Sequence, residues 1–91
     1  MEINDLDFIK VNEVSPEAYD VFDKEQNKIA YVQLRWGILR CLTSKSVGNM
    51  IYEFVLPDKT NGEFLNEEQR SKYLNIVSNK IKEYGISMQK I

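Results

Sequence analysis

The side chains able to do chemistry in this chain are few: Cys41, the carboxylate pairs Asp5/Asp7 and Glu67/Glu68, and a run of aromatics and guanidiniums from Tyr31 to Arg40. No histidine occurs. That removes the side chain that most often titrates near neutral pH, and with it every Ser–His or Cys–His nucleophile pair. A zinc site of the histidine-containing kinds is excluded too, and one cysteine is too few for a thiolate cage.

Cys41 is a nucleophile only where a neighbour lowers its pKa. It stands among Ile38, Leu39 and Leu42, so it reads as a small core residue. Asp23, Glu25 and Asn27 have the spacing of the first calcium-loop ligands. Lys28 stands where a glycine is needed, and Leu34 where the bidentate glutamate belongs, so the segment reads as a hairpin loop. Asp58 to Glu63 fails in the same way. The Glu67/Glu68 pair is explained by the positive end of a helix, and Asp5/Asp7 shows no partner to tune either acid. The expectation is a protein with no catalytic residue, metal or cofactor of its own.

The run Tyr31-Val32-Gln33-Leu34-Arg35-Trp36-Gly37-Ile38-Leu39-Arg40 is the most distinctive stretch. Ala30, Val32, Leu34 and Trp36 alternate with Tyr31, Gln33 and Arg35, the period of a strand. The first set, Trp36 included, is expected in the core. The second set, with Arg40 on the return strand, is expected on an open face. Tyr31, Gln33, Arg35 and Arg40 are thus the candidate partner-binding residues, because aromatics and arginines bring contact area and directional hydrogen bonds. The same chemistry, with Trp36, can stack and neutralise single-stranded nucleic acid.

These residues need a scaffold, and 91 residues at 43% apolar and 29% charged fit one α+β domain over residues 1–91. Strands are predicted at Phe8 to Val14, Ala18 to Phe22, Ile29 to Trp36, Ile38 to Thr43 and Met50 to Val55. Ser15-Pro16-Glu17 also suits a helix start, so residues 16–23 carry both readings. Asp23 to Lys28, Thr43 to Asn49 and Lys59 to Glu63 read as turns and loops. A helix opens at Asn66 with Gln69 three residues on. It presents Tyr73, Leu74, Val77, Ile81 and Tyr84 on one face, and stops at Gly85. Ile86 to Ile91 reads as a short last strand. The prediction is a mostly antiparallel sheet of four to five strands with one long C-terminal helix on one face.

The formal charge of −2 is unevenly placed. Residues 1–25 carry eight acids and two bases, and the remainder ten bases and six acids. The reading is two ordinarily solvated faces, or an acidic surface steering toward a basic partner. Net acidity argues against nucleic acid as the partner. The N-terminal residues lack the pattern of a signal peptide, no apolar run spans a bilayer, and the single cysteine fits a reducing compartment, so a cytoplasmic location is expected.

The order of strand, polar hairpin, Ile29-Ala30-Tyr31-Val32, a strand ending Phe54-Val55-Leu56-Pro57 and a helix ending Glu83-Tyr84-Gly85-Ile86 resembles the middle of a GNAT acetyltransferase, over roughly Ala18 to Ile91. The resemblance implies acetyl-CoA held by a glycine-rich loop at a helix start. That place reads Lys59-Thr60-Asn61-Gly62-Glu63-Phe64, with one glycine, and no site is carried over. The leading expectation is a small non-enzymatic binding protein docking a sheet face or edge on a macromolecular partner or on a second copy. Inhibitors, adaptors and accessory proteins of mobile elements or phages are of this kind. Single-stranded nucleic-acid binding and a reduced acetyltransferase are the alternatives.

Overall fold

The computed structural model describes residues 1–12, 15–43, 48–57 and 62–89. Along the chain run β1 (Glu2–Ile3), β2 (Leu6–Lys10), β3 (Glu17–Phe22), β4 (Lys28–Arg35), β5 (Ile38–Thr43), β6 (Met50–Val55) and α1 (Glu67–Gln89). The strands lie side by side in chain order, each antiparallel to its neighbours.

Local chemistry makes this meander. Asn4 and Asp5 both take positive φ, 52° and 68°, and join β1 to β2 in a two-residue turn. Trp36 (57°) and Gly37 (73°) do the same between β4 and β5, where Arg35 faces Ile38. Left-handed backbone at both central residues matches the twist of the flanking strands, which is why such turns close hairpins. Between β3 and β4 the Asp23 carboxylate accepts the Asn27 N–H at 2.8 Å, and Gln26 takes φ 68°. The segment 16–23 resolves as strand over Glu17–Phe22, with Pro16 ahead of it and Asp23 opening this turn.

One face of the sheet is packed. Phe8, Tyr19, Val21, Ala30, Val32, Leu34, Leu39 and Cys41 join Tyr73, Leu74, Val77 and Ile81 of α1 in one buried cluster. Leu74 and Val77 are fully buried, each contributing about 1.5–3 kcal/mol. Phe54 stacks on Tyr73, which stacks on Phe64, with ring centroids 5.8 and 6.2 Å apart. Asn66 caps the helix, its Oδ1 accepting the Gln69 N–H at 2.8 Å. Gln69 reaches back to the Leu65 N–H at 2.6 Å. At the other border Asn4 donates to Ser78 Oγ at 2.6 Å, tying the first turn to α1.

Several expectations are corrected. Among the described residues the sheet has six strands, because Glu2–Ile3 folds back on β2 through the Asn4–Asp5 turn. β2 covers Leu6–Lys10 instead of Phe8 to Val14, and Val14 lies outside the described residues. β4 ends at Arg35, and Trp36 is 71% exposed, not core: the turn rotates its side chain off the strand's alternation. The helix continues through Gly85 to Gln89, so no strand begins at Ile86. Gly85 keeps helical backbone, and Lys90 and Ile91 lie outside the described residues. Parts of the expected turns, Ser44 to Val47 and Asp58 to Asn61, also lie outside them.

Candidate functional site

Alternation in β4 sends Ala30, Val32 and Leu34 into the core and Tyr31, Gln33 and Arg35 to the face away from α1. Register then brings neighbours beside them. Tyr31 lies between Asp20 of β3 and Leu42 of β5, and Gln33 between Ala18 and Arg40. Arg40 faces Glu53 of β6, and its Nε donates to Glu53 Oε2 at 2.7 Å. Lys28 pairs with Asp20 at 3.0 Å. Tyr31, Gln33, Arg35 and Arg40 therefore share one surface, on which no helix or strand among the described residues packs. Tyr31 and Gln33 are half-buried by their neighbours; Arg35 and Arg40 are exposed.

At one end of this surface stands Trp36, its ring under the Arg35 guanidinium at 5.6 Å. Arg35, Trp36, Ser15, Pro16 and Gly62 line a cleft of about 230 Å³. The Gly62 carbonyl accepts the Glu17 N–H at 2.6 Å, and a Cβ on Gly62 would fall 1.9 Å from Ser15 Oγ. The close approach of these two segments shapes the cleft floor. The strand's alternation placed Trp36 in the core, and only the nucleic-acid alternative gave its ring a surface role. The signal present was Trp36-Gly37 itself, a dipeptide between two apolar runs with one glycine suited to a two-residue turn.

A second polar cluster was also missed. Glu17 is 1% exposed. It accepts from Arg70 Nε at 2.6 Å and Nη2 at 3.1 Å, from the Tyr19 hydroxyl, and from the Phe64 N–H at 3.3 Å. Arg70 also bonds Glu67. Burial would raise the Glu17 carboxyl, but the donors around it outweigh this and hold it below the usual carboxylate range. Burial and the Glu17 carboxylate push the Tyr19 hydroxyl well up, and the bond to Glu17 pushes Arg70 up. These directions keep Glu17 and Arg70 charged and Tyr19 protonated near neutral pH, as suits a buried ion pair joining β3 to α1. Glu17 thus leaves the acidic surface to which its position in the first 25 residues assigned it.

The remaining candidates separate. Cys41 is buried and its thiol is pushed up to about 12 by burial, so it stays protonated at neutral pH. Asp5 and Asp7 diverge: Asp5 meets Lys24 and Lys82 at 3.6 and 3.9 Å, and Asp7 meets the N-terminal amine at 3.3 Å. Glu67 turns to Arg70. Among the described residues no three acidic or cysteine side chains converge, and no helix is long and apolar enough to cross a membrane. The place implied for acetyl-CoA lies partly outside the described residues. No protein-family model matches the chain, and neither does a curated protein or a solved structure.

Proposed function

We propose that this chain is a non-enzymatic binding protein that docks the outer face of its sheet on a protein partner, through Tyr31, Gln33, Arg35 and Arg40, with Trp36 as anchor. The observation that carries the reading is Trp36: an indole 71% exposed, at φ 57°, stacked with Arg35 beside an open face and a cleft. Left-handed backbone costs a residue with a Cβ about 1–2 kcal/mol, and Asn or Gly would serve the turn better. Trp36 adds little to the fold in that place. What it offers is contact area, and Trp and Arg lead among residues that dominate protein interfaces.

Charge on this face favours a protein over a polyanion. Arg40 is paired with Glu53 and Lys28 with Asp20, so among the described residues the face alternates in sign and offers no basic stripe to phosphates. Mixed polar and apolar surface of this kind is typical of non-obligate protein interfaces.

The test is affinity capture from the source cell with the intact chain, with Tyr31→Ala/Arg35→Ala, and with Trp36→Asn. Partners held by the intact chain should be lost from both variants. If the double variant retains every partner, the chosen face is wrong. A shift with single-stranded RNA or DNA at low salt that weakens in Arg35→Ala would replace the protein partner by nucleic acid.

A further inference from the structure

The two borders of the sheet are built differently. β1 is two residues long and begins with an acid, which blunts it as a pairing edge. β6 is six residues long, has no Lys or Pro within it, and carries one charge, Glu53, already paired with Arg40. Along β6 lie Met50, Phe54 and Val55, 47%, 38% and 66% exposed. At its far end Pro57, Leu65 and Tyr73 help line a cleft of about 280 Å³. No strand among the described residues pairs with the outer side of β6.

The direction of its backbone groups follows from one bond. The Leu56 N–H donates to the Gly37 carbonyl at 3.0 Å, toward β5. By alternation the N–H and C=O of Phe54 also face β5, while those of Val55 and Glu53 point out of the sheet.

We infer that β6 pairs antiparallel with β6 of a second copy about a twofold axis at Phe54, joining two sheets into one of twelve strands. A twofold normal to the sheet leaves each face unchanged, so only residues of like parity can sit opposite each other. Four registers centre on Tyr52 to Val55, the part of the strand clear of its first two residues. An axis at Glu53 sets like charges directly opposite, which is destabilising. An axis at Tyr52 runs the pairing into the bulge at the start of β6, where the register with β5 shifts between Cys41 and Leu42. An axis at Val55 puts Pro57, which has no N–H, opposite Glu53. The axis at Phe54 sets Glu53 against the second copy's Val55 and Val55 against its Glu53. Both pairs exchange outward backbone bonds, about four in all. Phe54 then meets its own copy on the helix side, extending the Tyr52–Phe54–Tyr73 aromatic row. The same operation sets Ile51 of one copy opposite Pro57 of the other, so the paired border runs from Ile51 to Pro57.

This inference uses the edge rather than the outer face, and it stands whether or not the docking reading holds. Two short strands bury less than the ~1,200 Å² of stable complexes, so association is expected in the micromolar range. Sedimentation equilibrium of the intact chain should show twice the 10.7 kDa mass at high concentration, with dissociation on dilution. Val55→Pro removes an N–H that points out of the sheet and spares the ladder to β5. It should weaken association by roughly tenfold or more, with the far-UV spectrum kept. Phe54→Cys, under mild oxidation, should link to itself, because residues opposite in a non-hydrogen-bonded pair lie about 4.5 Å apart; Met50→Cys should not. Tyr31→Ala/Arg35→Ala should leave the dimer intact. A monomer at millimolar chain, a dimer unmoved by Val55→Pro, or faster linking of Met50→Cys than of Phe54→Cys would each overturn the inference.

Discussion

Arg70 on the first turn of α1 grips Glu17 on β3 across 53 residues of sequence, Nε to Oε2 at 2.6 Å and Nη2 to Oε1 at 3.1 Å. The carboxylate is almost wholly buried, while its partner keeps 15% of its side chain exposed. Tyr19 from the same strand and the Phe64 N–H complete its acceptor sites. This pair ties the start of the helix to the middle of the sheet; among the described residues no helix or strand packs on the opposite sheet face or pairs with the outer side of β6. Burying an ion pair contributes little net stability compared with apolar residues, but breaking one leaves a charge without compensation.

Arg70→Met should therefore lower the unfolding free energy by about 3–5 kcal/mol, because Glu17 stays buried with its counter-ion gone. Glu17→Leu/Arg70→Met should recover most of that loss. Urea denaturation of the three chains, with unchanged slope, checks both expectations.

Acid should act through the same residue. The folded Glu17 carboxyl sits below its ordinary value of 4.5, so its contribution is complete above that pH. It is lost as pH falls through the lower folded value, where the native carboxylate must at last take a proton. Thermal melts should fall steeply below about pH 4.5, and Glu17→Gln should flatten that slope while lowering stability at neutral pH.

Trp36 separates folding from binding. Replacing it by Asn, which tolerates left-handed backbone, should raise stability by about 1 kcal/mol, seen as a higher melting temperature. The same change should abolish partner capture. Loss of stability instead would mean that the indole packs on the fold more than its 71% exposure implies.

Gly85 lies inside α1, and nothing stands within 4 Å of the place where a Cβ would be built. Glycine in a helix interior is about 1 kcal/mol less favourable than alanine. Gly85→Ala should strengthen the helical signal at 222 nm and raise the melting temperature by a few degrees. A Gly85 that instead ended the helix in left-handed backbone would make the substitution destabilising.

The amino-acid sequence by itself determined the elements with strong periodicity. Alternation across Ala30–Arg35 separates core from surface one residue at a time, and the Asn66 cap with the Tyr73–Leu74–Val77–Ile81 stripe marks the helix, because both signals are carried by neighbours in the chain. The placing of Tyr31, Gln33, Arg35 and Arg40 on one surface was legible for the same reason.

Tertiary structure alone decided the rest. Trp36 leaves the core because the turn geometry takes it off the strand's alternation. Glu17 enters the core because Arg70, 53 residues later, arrives to neutralise it. Gly85 stays helical because a local stop signal worth about 1 kcal/mol does not compel a helix already anchored by packing to end. That β1 and β6 form the two borders of the sheet follows from strand order, and that depends on which segments meet, a property no short window of residues contains.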